Sequence, residues 1–540
     1  MWSSLLSLAV LTIPQDWPQG PGPRGDWGSD GEAPPLQFSV RTGEGIRWQT
    51  PLPETGQGGI AVVGRRAFVT SMAPWDPANK LSPEDSSRFA HATENREVVG
   101  KHIDAHCLDA DTGELLWTRR IEGIVPAIYT YPFSDATSAS PVADAAHVWF
   151  TNAAGRLCCF THAGELVWER VWTPSYDGPF NKQFEPILVR DGERRVLVSM
   201  EPFAPEQGET AKDALVGRWH HLVGLDASDG SLLWRSRDGL TQYNAPTAVD
   251  TPAGPAMLIA RGGPHAVPER PVGISLVSLV GPDAGKSRWR YEDPRGNHEG
   301  ALQTMAHDER HAYWILKEPR DLLVVLDLKS GEELRTISLK KGVARWSRPS
   351  DSASESTTMQ HETGVDLEQG VFPARYSLIA AEDRVFFQCY ASAWGKPTVG
   401  PAYSFGRVDP TTGSVDYLEV PTDVTWDGDV PRRIWRTRGA ARPLNSRGIE
   451  VTGDDRCRWD GWDWVFNGSP TRVNAHLYFT LATGVVYVID AGREEFDAGA
   501  LLAVGDLGAA GQTWTANSVS FAHGRLYHRT ASHVICIGRE

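Results

Sequence analysis

The sequence predicts an all-β chain assembled from one repeated four-stranded unit. Three observations predict it: a recurring Asp-Gly-Trp turn, the spacing of its copies, and alternating apolar segments upstream of most of them. The clearest copy of the turn occupies residues 107–117, CLDADTGELLW, and a second occupies 224–234, GLDASDGSLLW. Asp109 and Asp226 each stand at a strand end, where a carboxylate accepts backbone N–H groups two residues further on. Gly113 and Gly230 take the positive φ of the turn. Trp117 and Trp234 sit on the returning strand, where an indole is large enough to bury against a neighbouring unit.

The four-residue interval from Gly to Trp recurs at Gly164 to Trp168 and Gly285 to Trp289. Gly331 to Arg335 and Gly413 to Tyr417 keep the spacing with a different last residue, and the turn before Gly164 is one residue short. Trp48 and the stretch Val488-Ile489-Asp490 are degenerate copies at the two ends of the series. Anchors at 48, 117, 168, 234, 289, 335 and 417 lie 46 to 82 residues apart, which suits a four-stranded blade with variable loops better than a helical solenoid. With the Val488 copy they make eight units. Segments such as 146–151, 384–388 and 475–480 alternate as inner and middle strands do. The stretch 518–537 supplies only three strands, and 36–49 supplies a fourth. The expected fold is therefore an eight-bladed β-propeller of four-stranded antiparallel blades, with the ring closed by pairing the N- and C-terminal strands, which removes two exposed sheet edges.

Composition narrows the function. A formal net charge of −15 leaves no basic footprint for a phosphate backbone, so nucleic acid is excluded as an expected partner. No run of 18 apolar residues is present for a transmembrane helix. Residues 1–15 read as a weak export signal or a disordered start: the stretch 5–11 is apolar, without a preceding Lys or Arg and without a clean A-x-A site. Export to the periplasm or beyond is the expectation, with the cytoplasm as the alternative. The six cysteines form no CxxC pair. Cys107, Cys159 and Cys536 share one place in the repeat, a small buried strand position. The adjacent Cys158 and Cys159 lie in a strand, whose alternation points them to opposite faces.

The turns at Trp117 and Trp234 resemble the tryptophan-docking motif of pyrroloquinoline-quinone-like (PQQ-like) propellers, roughly A-x-D-x-x-T-G-K-x-x-W. The opening Asp16-Trp17-Pro18-Gln19, with Gly22-Pro23, is similar to the start of many secreted bacterial PQQ-like repeat proteins. The resemblance implies one propeller domain over 16–540, with long insertions near 72–100, 342–374 and 421–467. It also implies two functional classes: quinoprotein dehydrogenases that use PQQ and calcium, and non-enzymatic scaffolds such as the outer-membrane assembly lipoprotein. Members with a vicinal disulfide hold it near the cofactor; here strand geometry favours two buried thiols.

Polar residues just before the innermost strands, Ser138, Glu185, Asn244, Gln303, Arg375, Asn467 and Asn517, are expected to converge at one mouth of the central channel. They could hold a small polar ligand, an ion or ordered water. Family quinoproteins bind calcium through Glu and Asn and use an Asp as base; Glu185 and Asn244 invite the comparison, but no surrounding motif matches, so no catalytic role is carried over. Tryptophan and aspartate cluster in the insertion, with Trp426, Trp459 and Trp462 as candidate partner-binding residues, or as aromatics of a self-packed loop. The stretch 281–287, GPDAGKS, has three residues between its glycines where a phosphate loop needs four, and reads as a repeat turn. His220, His221, His265, His298 and His361 lack metal-ligand spacing and read as scattered surface histidines.

The expected function is an exported binding or scaffold module for a protein or polysaccharide partner, acting as a monomer. The alternative is a PQQ- and calcium-dependent alcohol or sugar dehydrogenase.

Overall fold

The structure is a computed structural model. It describes residues 15–539 apart from 75–97, 125–126, 129–134, 173–184, 203–219, 237, 240–243, 263–270, 297–302, 317–320, 348–358, 369–375, 390–391, 394–395, 398–402, 421–422, 428–429, 435–442, 447, 449–467 and 510–511.

Eight antiparallel sheets follow one another along the chain. Their first strands are Ala61–Val63, Val142–Ala143, Ile187–Asp191, Thr247–Val249, Ala306–His307, Ile379–Ala381, Thr471–Val473 and Ser520–Ala522. These lie nearest the axis, as cross-blade bonds just before them show: Ser520 Oγ donates to Ile60 O, Thr471 Oγ1 to Val519 O, and Thr304 Oγ1 meets Ser469 Oγ. The eighth blade has three strands from the C-terminus, and Ile46–Pro51 completes it by pairing antiparallel with His533–Ile537. The ring thus closes as the sequence predicts. The sixth blade also carries Val343–Ser347, parallel to Val415–Glu419, and then Gln360–Val365.

The apolar core lies between blades rather than within them. Val148, Phe150 and Cys158 of the second blade pack with Phe68 and Cys107 of the first, whereas Trp149, Leu157 and Cys159 pack with Leu197 and Val223 of the third. The two adjacent cysteines therefore face different neighbours, as strand alternation requires, and burial pushes both thiols up to about 12.

Tryptophans rivet the interblade seams. The indole N–H of Trp48 donates to Ala110 O, Trp117 to His162 O, Trp168 to Ala227 O, Trp234 to Leu279 O and Trp289 to Leu328 O. Each reaches the turn of the next blade, where a glycine leaves room: a Cβ on Gly230 would stand 2.7 Å from the Trp168 ring, and one on Gly331 2.5 Å from Trp289. Arg335 takes the same place at the next seam and donates to Thr411 O. Within the blades, Trp117 pairs with Cys107, Trp168 with Cys159 and Trp48 with Cys536, so the three cysteines share one repeat position. The turn aspartates act as expected, Asp109 Oδ1 accepting from Asp111 and Thr112 N, and Asp409 Oδ1 from Thr411 and Thr412 N. Residues 281–286 are such a turn, in which Lys286 pairs with Asp283 before the strand Ser287–Glu292 begins. Among those described, one histidine departs from the surface reading: His221 is buried, because the third strand of its blade lies inside the ring, where the sheet faces pack between blades.

Candidate functional site

Because the four strands alternate in direction, first-to-second and third-to-fourth turns share one face of the ring, and all other connections share the opposite face. The first face has short turns, such as 64–65, 192–193, 382–383 and 523–524. On the second stand the described ends of the longer connections, among them Ala73 and His102, Trp172 and Glu185, and Val420 and Gly468. The residues that precede the innermost strands lie at this second face.

Ser138, Glu185, Asn244, Gln303 and Asn517 stand there, each in front of a different blade; Arg375 and Asn467 lie outside the described residues. Two groupings form. Asn244 donates to Gln303 O and accepts from Ala260 N, which ties the fourth blade to the fifth, whereas Gln303 Oε1 accepts from Ile315 N within the fifth blade. The other grouping surrounds the glycines before the first blade. Ser140 N donates to Glu185 Oε2 at 2.8 Å, Gly59 N donates to Ser140 Oγ at 2.8 Å, and Gln57 N donates to Thr137 Oγ1. Asn517 Oδ1 lies 4.0 Å from the position of a Cβ on Gly59.

Glu185 is the titratable member of this collar. Removal from water pushes its carboxyl up to about 7, and the Ser140 hydrogen bonds oppose the shift only in part. Gln57 Nε2, Ser138 Oγ and Asn517 Nδ2 are buried and find no hydrogen-bond partner among the described residues. A carboxyl near neutrality beside donors of this kind suits an uncharged polar group, such as a hydroxyl or an amide. Sequence reasoning missed Gln57, Ser140 and Gly59. The glycine-dense run 56–59 directly before a strand was the available signal, since glycine there marks close backbone approach.

The chain itself enters the channel. Gly20 packs against the collar: a Cβ there would stand 2.5 Å from Glu185 Oε2 and 3.0 Å from Ser140 Oγ.

Trp426 lies in the strand Asp423–Asp427, which forms a hairpin with Val430–Ile434. Trp459 and Trp462 lie outside the described residues. The same insertion reaches the connection between the eighth and first blades, where Ser446 N donates to Glu54 Oε2 at 2.8 Å. A cleft of about 250 Å³ opens nearby, lined by Pro443, Gln512, Trp514, Ser532 and His533 among others.

A family model described as outer membrane protein assembly factor BamB matches residues 36–198 and 101–310, which together span just over half of the 540 residues. No curated protein matches the chain by sequence. Among solved structures, the quinohemoprotein alcohol dehydrogenase from Comamonas testosteroni is similar over 97% of this chain and 81% of its own, at 13% identity and a TM-score of 0.50. BamB from Moraxella catarrhalis is similar over 75% of this chain and 95% of its own, at 12% identity and a TM-score of 0.34. The likeness to the dehydrogenase is one of fold.

Proposed function

The chain belongs to the PQQ-like β-propeller repeat family, and from that premise we propose that it is a binding or scaffold module, taking a protein or polysaccharide partner on the face that carries its long connections. The observation that carries this reading is the asymmetry of the ring: short bonded turns on one face, and on the other the longest connections together with the polar collar. Binding residues commonly sit on loops that a rigid scaffold presents, and Trp426, Trp459 and Trp462 are the aromatic anchors this reading offers. No helix among the described residues is long and apolar enough to cross a membrane. Export to the periplasm or beyond, and action as a monomer, belong to the same reading.

The described collar does not fit PQQ with calcium. PQQ is a polyanion that calls for cationic partners, whereas the cation described at this collar, Arg529, is buried and donates to Gly58 O, Thr70 O, Thr530 O and Ala531 O of the fold itself. Calcium takes six to eight oxygen ligands, typically with several carboxylates, and no group of three or more His, Cys, Asp or Glu that could hold a metal ion is found among the described residues. The tip of the segment at Gly20 also takes up space at the collar.

Two measurements separate the readings. Titration of metal-depleted protein with PQQ and Ca²⁺, followed by melting temperature, is expected to give no saturable stabilisation, because a ligand specific to the folded state must raise it. A saturable rise overturns the proposal in favour of the dehydrogenase. In the second, cross-linked partners are quantified for the wild type and for a W426A/W459A/W462A variant of unchanged melting temperature. Loss of a partner from the variant supports the insertion as the binding surface, and equal recovery removes those residues from it.

A further inference from the structure

The innermost strand of every propeller blade is a sheet edge with backbone groups left unpaired by the blade itself, and such edges invite another strand. Here the chain supplies one. Trp17 and Val62 exchange both backbone hydrogen bonds, at 2.9 and 2.7 Å. Ala143 N donates to Pro18 O, Leu188 N to Gln19 Oε1, Ala248 N to Gly25 O, Arg472 N to Trp27 O and Asn474 N to Ser29 O. The first, second, third, fourth and seventh blades are engaged in this way. His523 joins the eighth through Asp16, at 2.8 Å.

The path runs along the channel and back. Asp16 Oδ1 accepts from Gly64 N at a short turn, Gly20 reaches Glu185 and Ser140 at the opposite mouth, and Gly31 N returns to Asn474 Oδ1 beside another short turn. Ser29 Oγ donates to Gln15 Oε1, so the two ends of the loop meet, as in a compact Ω-loop. Trp17 is wholly buried with Val62, Val519 and Phe521, and Trp27 is buried with Leu477 and Tyr487. The sequence favours this course: Pro18, Pro21 and Pro23 restrict the free chain, and Gly22 and Gly25 take φ of +82° and +77° where side chains are disfavoured. A Cβ on Gly25 would also stand 2.6 Å from Ala248 Cβ.

We infer that residues 15–31 are a fixed axial plug, which closes the channel at its short-turn end, so that whatever reaches the collar comes from the face with the long connections and meets a floor built by Gly20-Pro21-Gly22. The plug is an integral part of the propeller rather than a strap that opens, because two buried indoles and five inner-strand amides go with it. This inference is independent of which partner the outer face takes.

Hydrogen exchange of the full chain, read by mass spectrometry or NMR, tests it. In the wild type, the amides of Val62, Ala143, Ala248, Arg472 and Asn474 should exchange as slowly as mid-blade amides such as those of Leu197 and Val223. Faster exchange by about a hundredfold or more, with the mid-blade amides still protected, means that the segment opens by itself and overturns the inference. The variant Gly25→Ala should speed exchange at Ala143, Ala248 and Arg472 by about tenfold or more and lower the melting temperature with it. Unchanged exchange in a folded variant also overturns it, and if the variant does not fold, the wild-type comparison decides.

Discussion

Glu185 and the buried histidines make opposite demands on pH. The Glu185 carboxyl is held near 7 against an ordinary value of 4.5, so the folded protein prefers it protonated. Its contribution to stability is fully present below about 4.5 and is lost as pH rises through about 7. Glu185→Gln keeps the shape without the charge. Its unfolding free energy in urea is expected to match the wild type at pH 4 and to exceed it at pH 8, by about 3 kcal/mol; a variant less stable at pH 8 would show that the carboxylate is needed there. His106 runs the other way. Burial lowers it to about 4, while Ser71 and Thr118 hydroxyls meet its two ring nitrogens. The folded state prefers the neutral ring, so this stability is present above about 6.5 and lost as pH falls through about 4. Replacing His106 with Gln should flatten the acid limb of the stability profile between those values, as followed by urea midpoints at several pH values.

Five of the eight seams between blades have the same parts: an indole, the carbonyl it donates to, and a glycine beneath it. Trp234→Ala removes the bond to Leu279 O and uncovers Gly285, and is expected to cost about 2–4 kcal/mol in urea unfolding. Gly230→Ala fails for a different reason, since it forces a side chain onto a φ of +74° and into the Trp168 ring, at a cost of about 1–3 kcal/mol. At the next seam but one, Arg335 donates to Thr411 O from an exposed position, so Arg335→Ala should cost less than Trp234→Ala. Equal losses at both seams would mean that the indole contributes nothing beyond its hydrogen bond.

The whole molecule depends on contacts between its chain ends. Ile46–Pro51 pairs with His533–Ile537, and Trp48 carries that closure to the first blade through Ala110 O. Propeller blades contact chiefly their neighbours, so stability approximates a sum of blade and seam terms, and the eighth blade differs from the others in that no turn joins its third strand to its fourth. Trp48→Ala is therefore expected to speed unfolding more than Trp234→Ala does, as measured by stopped-flow dilution into urea. Similar rates would place the point of first opening elsewhere in the ring.

What the sequence determined by itself is the repeat and its consequences. Asp109, Gly113 and Trp117 sit at fixed spacing because a hairpin turn, a positive φ and an interblade indole each demand one residue type at one place. Those local demands recur often enough to count the blades and to pair residues 36–49 with 518–537. The collar was legible only in part. That Glu185 and Asn517 precede inner strands follows from the repeat, but that Asn244 spends its amide on the backbone of the next blade at Gln303 does not, because hydrogen-bond partners between blades have no spacing in the chain. The opening Asp16-Trp17-Pro18-Gln19 was visible as a motif and silent as to its place. Only the tertiary structure decided that it fills the channel, since the inner edges it pairs with are brought together from residues 62 to 474 by closure of the ring, and no local propensity records which segment will satisfy them.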